Sequence, residues 1–164
     1  MDNRRALLRH FLAALAYRTQ KALRGAKPEF ANFSAGNQVR TPHEIISHMD
    51  SVLGYARTLF VGGRYRPPEF DDFQQAIEHF HEVLADLAKH LESDAEIHGL
   101  TLETLLQGPL SDAMTHAGQL AMLRRLAGDP VPPENFVFAK VDPANLGPNQ
   151  PPPARPDLEW PEKP

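Results

Sequence analysis

Phe70, Phe73, Ile77, Phe80, Leu84, Leu87 and Leu91 recur in steps of three and four. Only a helix brings residues at that spacing onto one face. A face this long and this apolar has to be covered by other helices, so the seam predicts a helical bundle. The helix it predicts runs from about Glu69 to Leu91, after a turn at Pro67-Pro68. His81 flanks the seam one turn after Ile77 and could face an interior pocket, whereas His79 and His90 read as solvated.

Three other segments supply the covering helices. Leu8, Phe11, Leu12, Leu15, Thr19 and Ala22 form a stripe on a first helix, from about Arg4 to Leu23, ended by Gly25. Its arginines and His10 interrupt the apolar run, so it reads as an amphipathic helix and not as a signal peptide. A loop follows to Arg40, with Phe30 and Phe33 as apolar anchors. The second helix has the clearest start: Thr41 as N-cap, Pro42 at the first position and Glu44 three residues on form a capping box. It carries Ile45, Met49, Val52, Ala56 and Phe60 on one side, His48 with them, and stops at Gly62-Gly63. A short helical connector, Thr101–Gln107, precedes a last long helix from about Pro109 to Ala127. That helix is apolar around much of its circumference, which predicts a central position. Arg124 and Arg125 stand in its last turn, where cations favour the dipole.

Composition narrows the function. The 164 residues carry a formal net charge of -4, which gives no electrostatic footprint for nucleic acid. No apolar run approaches membrane-spanning length. There is no cysteine, so thiolate metal sites, disulfides and a cysteine nucleophile are excluded, and a reducing cytoplasm fits. Any metal would have to be held by His, Asp or Glu. Most of the 16 prolines fall from Pro130 onward. Residues 1–140 therefore read as the bundle domain and 141–164 as a Pro-rich tail, packed on the surface or loose. Asn135–Ala139 reads as an extended segment, and Trp160 as a pin for the tail or a subunit contact.

The candidate site lies on the last helix, where Asp112 and His116 stand one turn apart. Such a pair is either an ordinary surface contact or two ligands of one ion. Ala113, Ala117 and Leu120 bracket it, which suggests burial, and a buried Asp needs a partner. His48 on the second helix could converge with them. A lone His on an apolar face is more often a core histidine than a ligand. Two His and one carboxylate would suit Zn, Ni, Fe or Mn and leave positions open for water or substrate. The same three could also form only a polar network in a non-catalytic, dimeric bundle. Tyr55, Arg57 and His81 are candidate walls for a cavity between the second and last helices.

Two motifs carry a family resemblance. Thr41-Pro-His-Glu-Ile-Ile-Ser-His48-Met-Asp50 and Asp112-Ala-Met-Thr-His116-Ala-Gly-Gln119-Leu120 resemble the second-helix and last-helix patterns of the DinB-like/YfiT-like superfamily of bacterial four-helix bundles. The resemblance covers about residues 1–140. It implies an all-α, up-down-down-up bundle with a long first crossover and a strand-like segment at Asn135–Ala139. It implies a metal held by His48, Asp112 and His116, with Asp112 where the family most often has His. Gln119 is then a packing residue or a support for a ligand. The activity implied is a thiol-dependent S-transferase, with a low-molecular-weight thiol as cosubstrate, or a metal-dependent hydrolase. The substrate is expected to be a small molecule, with no nucleic acid or membrane partner, and the assembly a homodimer.

Overall fold

The computed structural model describes residues 2–93 and 95–157. Trp160 lies outside them. Four long helices form the body: α1 (Asn3–Leu23), α2 (Pro42–Val61), α3 (Phe73–Glu92) and α5 (Ser111–Leu126), with a short α4 (Leu102–Leu105) before the last. There is no strand among the described residues, and an isolated antiparallel bridge joins Glu134 to Pro156. None of these helices is long and apolar enough to cross a membrane.

α1 packs against α3 and α5, and α2 packs against the same two, so α1 lies diagonal to α2 and α3 diagonal to α5. Directions follow from side-chain pairs. Asp50 meets His79 and Arg57 meets Asp86, so α2 and α3 run parallel. Arg5 reaches the carbonyls of His90 and Ser93, and Gln20 meets His81, so α1 opposes α3. His48 meets both Asp112 and His116, and Ile45 borders a groove shared with Gln119 and Leu123, so α2 opposes α5. The order is up-down-down-up.

Parallel neighbours demand a long return. α2 is 20 residues and so about 30 Å long. The eleven residues 62–72 reach back along it only if nearly extended, at roughly 3.3 Å each. Pro67-Pro68 favours that conformation. Tyr65 lies flat along α2 because Gly54 has no Cβ; one there would overlap the ring. The Tyr65 hydroxyl donates to Asp50 Oδ2 at 2.9 Å.

The apolar stripes read from the sequence form the core. Leu12, Leu15, Ile45, Met49, Phe80, Leu84, Leu87 and Leu91 are fully buried. Truncating any one to Ala is worth about 2–5 kcal/mol. The capping box of α2 is complete, with both Thr41–Glu44 bonds made.

Several expectations need correction. α3 begins at Phe73, not near Glu69, because Asp72 caps it by accepting from Gln75 N. Phe70 therefore precedes the helix and packs on the His79 ring. His79 and His90 are half-buried and partnered rather than fully solvated: His79 bonds Asp50 at 3.0 Å and His90 stacks on Phe60. The connector before α5 does not end; it passes into α5 through a π turn, Leu106–Leu110. α5 is not central on all sides, since Met122 and Leu126 are more than half exposed. Arg124 does more than favour its own dipole. It turns inward and donates to the carbonyls of Ala22 and Arg24, satisfying the end of α1. Asn135–Ala139 is not extended: Phe136–Phe138 make a 3-10 turn, with Asn135 accepting from Val137 N.

After it the chain crosses the bundle. Leu146 O accepts from His81 Nδ1 at 2.6 Å, and Arg24 donates to Gln150 O.

Candidate metal centre

Three features of local structure aim the candidate ligands. The capping box fixes where α2 begins and hence which way His48 points, toward α5. Asp112 and His116 lie one turn apart on α5 and face back. The π turn sets their register: its extra residue and Pro109, which has no N–H to donate, shift the helix just before Asp112. Ser111 Oγ donates to Leu106 O at 2.7 Å and repairs the disturbed turn.

The three side chains converge. Asp112 lies between two imidazoles, its Oδ2 3.5 Å from His48 Nε2 and its Oδ1 3.6 Å from His116 Nε2. The two rings stand edge to face, centroids 4.7 Å apart. One ligand atom from each residue lies within 4.8 Å of the other two, so the group is one that could hold a metal ion. Tetrahedral ligands about 2.0–2.2 Å from an ion stand about 3.3–3.6 Å apart; the two Asp112 distances are of that size, although they run to different oxygens, Oδ2 toward His48 and Oδ1 toward His116. They are long for charge-assisted hydrogen bonds, which run at about 2.7–2.9 Å.

The proton on His116 strengthens the fit. Its Nδ1–H donates to Gln119 Oε1 at 2.7 Å. In the neutral ring Nε2 then carries a lone pair, pointed at a carboxylate oxygen. A proton or a metal ion at Nε2 would each satisfy that contact. Gln119 thus holds the ring in the tautomer a ligand needs. Burial first, and then the nearby Arg40 charge, lowers the pKa of His48 against the pull of Asp112.

Asp112 is not buried: its side chain is 48% exposed, while that of His116 is 8% exposed. Ala113 and Ala117 face the core, and Asp112 sits on the rim. The site is therefore half open, on a shallow groove between α2 and the start of α5 lined by Ser51, Val52, Tyr55, Pro109 and Thr115. Tyr55 is a wall, as expected, but Arg57 and His81 are not. Arg57 turns to α3 and pairs with Asp86. His81 faces α1, on the far side of the bundle, where Gln20 and Leu146 bond both its ring nitrogens. On the other flank of the triad lies a second groove, with Arg40, Gln119 and Met122. It adjoins Asn37 and Gln38, both at positive φ (50° and 61°), a strained turn for non-glycine residues.

Sequence reasoning assigned no role to Asp50, although it stands two residues from His48. It is the buried partner of His79 and Tyr65. An Asp on the same side of a helix as Ile46 and Leu53 is the signal that could have found it.

Comparison of the chain with protein-family models, with curated proteins and with solved structures finds no match in any of the three.

Proposed function

We propose that the chain is a metal-dependent enzyme of the DinB-like kind, acting on a small molecule at a divalent ion held by His48, Asp112 and His116. The observation that carries this reading is the convergence of three donor atoms from two helices, with the His116 tautomer set by Gln119. Two imidazoles and a carboxylate suit Zn or Ni best and accept Fe or Mn. A cation bound there supplies Lewis acidity, lowering the pKa of a thiol or a water at its open positions.

The protein's own groups do the positioning. Gln119 orients His116, and Asp112 brings the negative charge that offsets the ion. The exposed side of Asp112 leaves an approach from the groove. Ser51, Val52 and Tyr55 line that approach and would hold the body of a substrate. Arg40 stands on the other flank, its charge felt at His48, and would favour an anionic reactant. Thiol-dependent S-transfer, with a low-molecular-weight thiol as cosubstrate, is the preferred reaction, and hydrolysis the alternative. A cysteine-free homodimer working in the cytoplasm completes the proposal.

The test compares zinc- or nickel-loaded wild type with His48→Ala, using cysteine and chlorodinitrobenzene for transfer and p-nitrophenyl acetate for hydrolysis. Metal-dependent acceleration of one reaction, lost in His48→Ala, is expected. Rates unchanged by the substitution and by a chelator contradict it. A second reading is favoured by the open, shallow groove: a non-catalytic bundle in which Asp112 only bridges two imidazoles. It predicts that neither reaction responds to metal.

A further inference from the structure

The opposite face of α5 carries a second, separate cavity of about 340 Å³. Ligand pockets of small molecules begin at about this size. Its floor is Ala117, Gly118 and Ala121 on α5, against Ala22 of α1, and its far wall is the loop 131–136. His48 and Asp112 take no part in it.

Gly118 is not there for its backbone. It has ordinary helical φ, and a Cβ added to it would meet nothing within 4 Å. A glycine inside a helix costs about 1 kcal/mol relative to alanine. Neither a turn nor a close approach explains that cost here, but an open floor does. The wall is preformed as well. Pro132-Pro133 stiffens the loop, Tyr17 donates its hydroxyl to Glu134 Oε1 at 2.7 Å, and the Glu134–Pro156 bridge ties the loop to the later chain. Phe136 packs edge-on against Tyr17.

The charges at the mouth are unbalanced. Arg18 lies on the Phe136 ring, 3.8 Å from its centroid, and Lys21 donates to Pro132 O. Among the described residues neither cation has a carboxylate in ion-pair range. Glu134, the carboxylate in the lining, accepts from Tyr17 at Oε1; its buried Oε2 has no hydrogen-bond partner, and its charge acts on Lys21. Even setting Arg125 aside, Arg18 and Lys21 face Glu134 alone. Burial, with Arg18 beside it, lowers the Lys21 pKa despite Glu134, as expected of an ammonium short of anionic partners.

From the cavity, its glycine floor and the paired cations at its mouth, we infer that this is a binding site for a small organic anion with a short apolar body. The anionic head meets Arg18 and Lys21, and the apolar body lies on the α5 floor.

The test titrates the full chain with hexanoate, 1-hexanol and inorganic phosphate, followed by amide shifts in NMR spectra. Hexanoate is expected to saturate shifts around Gly118 and Ala121 and to bind at least about tenfold tighter than either control. Gly118→Leu should abolish this without lowering the melting temperature. Replacing both Arg18 and Lys21 by Gln should reduce hexanoate to the level of hexanol, which decides the matter even if Gly118→Leu does not fold. His48→Ala should leave hexanoate binding unchanged, so this site stands or falls apart from the metal centre. Absence of saturable shifts overturns the inference. So does hexanol or phosphate binding as tightly as hexanoate, or full binding by folded Gly118→Leu.

Discussion

Two Asp–His clusters touch α2 within two residues of each other, and they are built to opposite specifications. Asp50 is closed in. Its side chain is 5% exposed, and it takes His79 Nδ1 at 3.0 Å and the Tyr65 hydroxyl at 2.9 Å. Burial pushes its carboxyl pKa up, against the opposing bonds from Tyr65 and His79. Burial, with the Asp50 charge beside it, pushes the Tyr65 hydroxyl well above its usual range. Every distance in that cluster is a hydrogen bond, and the cluster ties the return linker 62–72 to α2. The His48–Asp112–His116 group has the same residue types but longer distances, a rim carboxylate and a lone pair facing it. Residue type alone does not separate a structural knot from a metal site. The separation comes from whether the polar atoms satisfy one another or leave a space that a cation would fill.

The largest effect should come from breaking the closed cluster. Asp50→Ala removes the shared acceptor of His79 and Tyr65, and a loss of about 3–5 kcal/mol in urea unfolding is expected. Metal content should not change. A folded Asp50→Ala protein without metal would mean that the two clusters are coupled.

His81 sharpens the comparison with a third kind of site, a histidine bonded at both nitrogens. Burial pushes its pKa down to about 4, against the pull of the Leu146 carbonyl. The unfolded chain takes up this proton below about pH 6.5, and the folded chain resists it until near pH 4. Its contribution is therefore complete above pH 6.5 and is lost as pH falls toward 4, by about 3 kcal/mol. His81→Gln, which keeps a donor for Leu146, should flatten the pH dependence of urea unfolding in that window. An unchanged slope contradicts the assignment.

Gln119→Leu tests the open cluster without touching a ligand. It releases the His116 ring, and metal affinity measured by competition with a chelating dye should fall about 10–100-fold. Stability of the metal-free protein should change little. The smallest effect belongs to Thr41→Ala, which removes half of the capping box. About 1 kcal/mol of stability should be lost, with a slight weakening of metal binding as the first turn before His48 frays.

α1, α2 and α3 were legible from their apolar stripes and α5 from an apolar stretch bounded by Pro109 and Gly128, and α2 also announces its start with Thr41-Pro-His-Glu44. Boundaries were harder. Phe70 continues the period of α3, yet Asp72 caps the helix after it, because a side-chain oxygen in reach of Gln75 N outweighs one more apolar residue. Spacing put Asp112 and His116 one turn apart, and the family resemblance joined His48 to them as a ligand set; the structure brings the three side chains together. The exposure of Asp112 was not, since it depends on how far α5 turns after the π turn at Pro109, a tertiary effect on register. Asp50, His79 and Tyr65 meet only because the linker doubles back along α2, and no local pattern encodes that contact.

The central claim is that the open cluster is a metal site and the closed one is not. Elemental analysis of protein purified without a nickel column, then reconstituted with zinc or nickel and desalted, tests it directly. About one ion per chain is expected in wild type, and none in His48→Ala or His116→Ala, with His79→Gln unchanged. Equal metal in wild type and the His48 and His116 variants, or no retained metal in wild type, would contradict it.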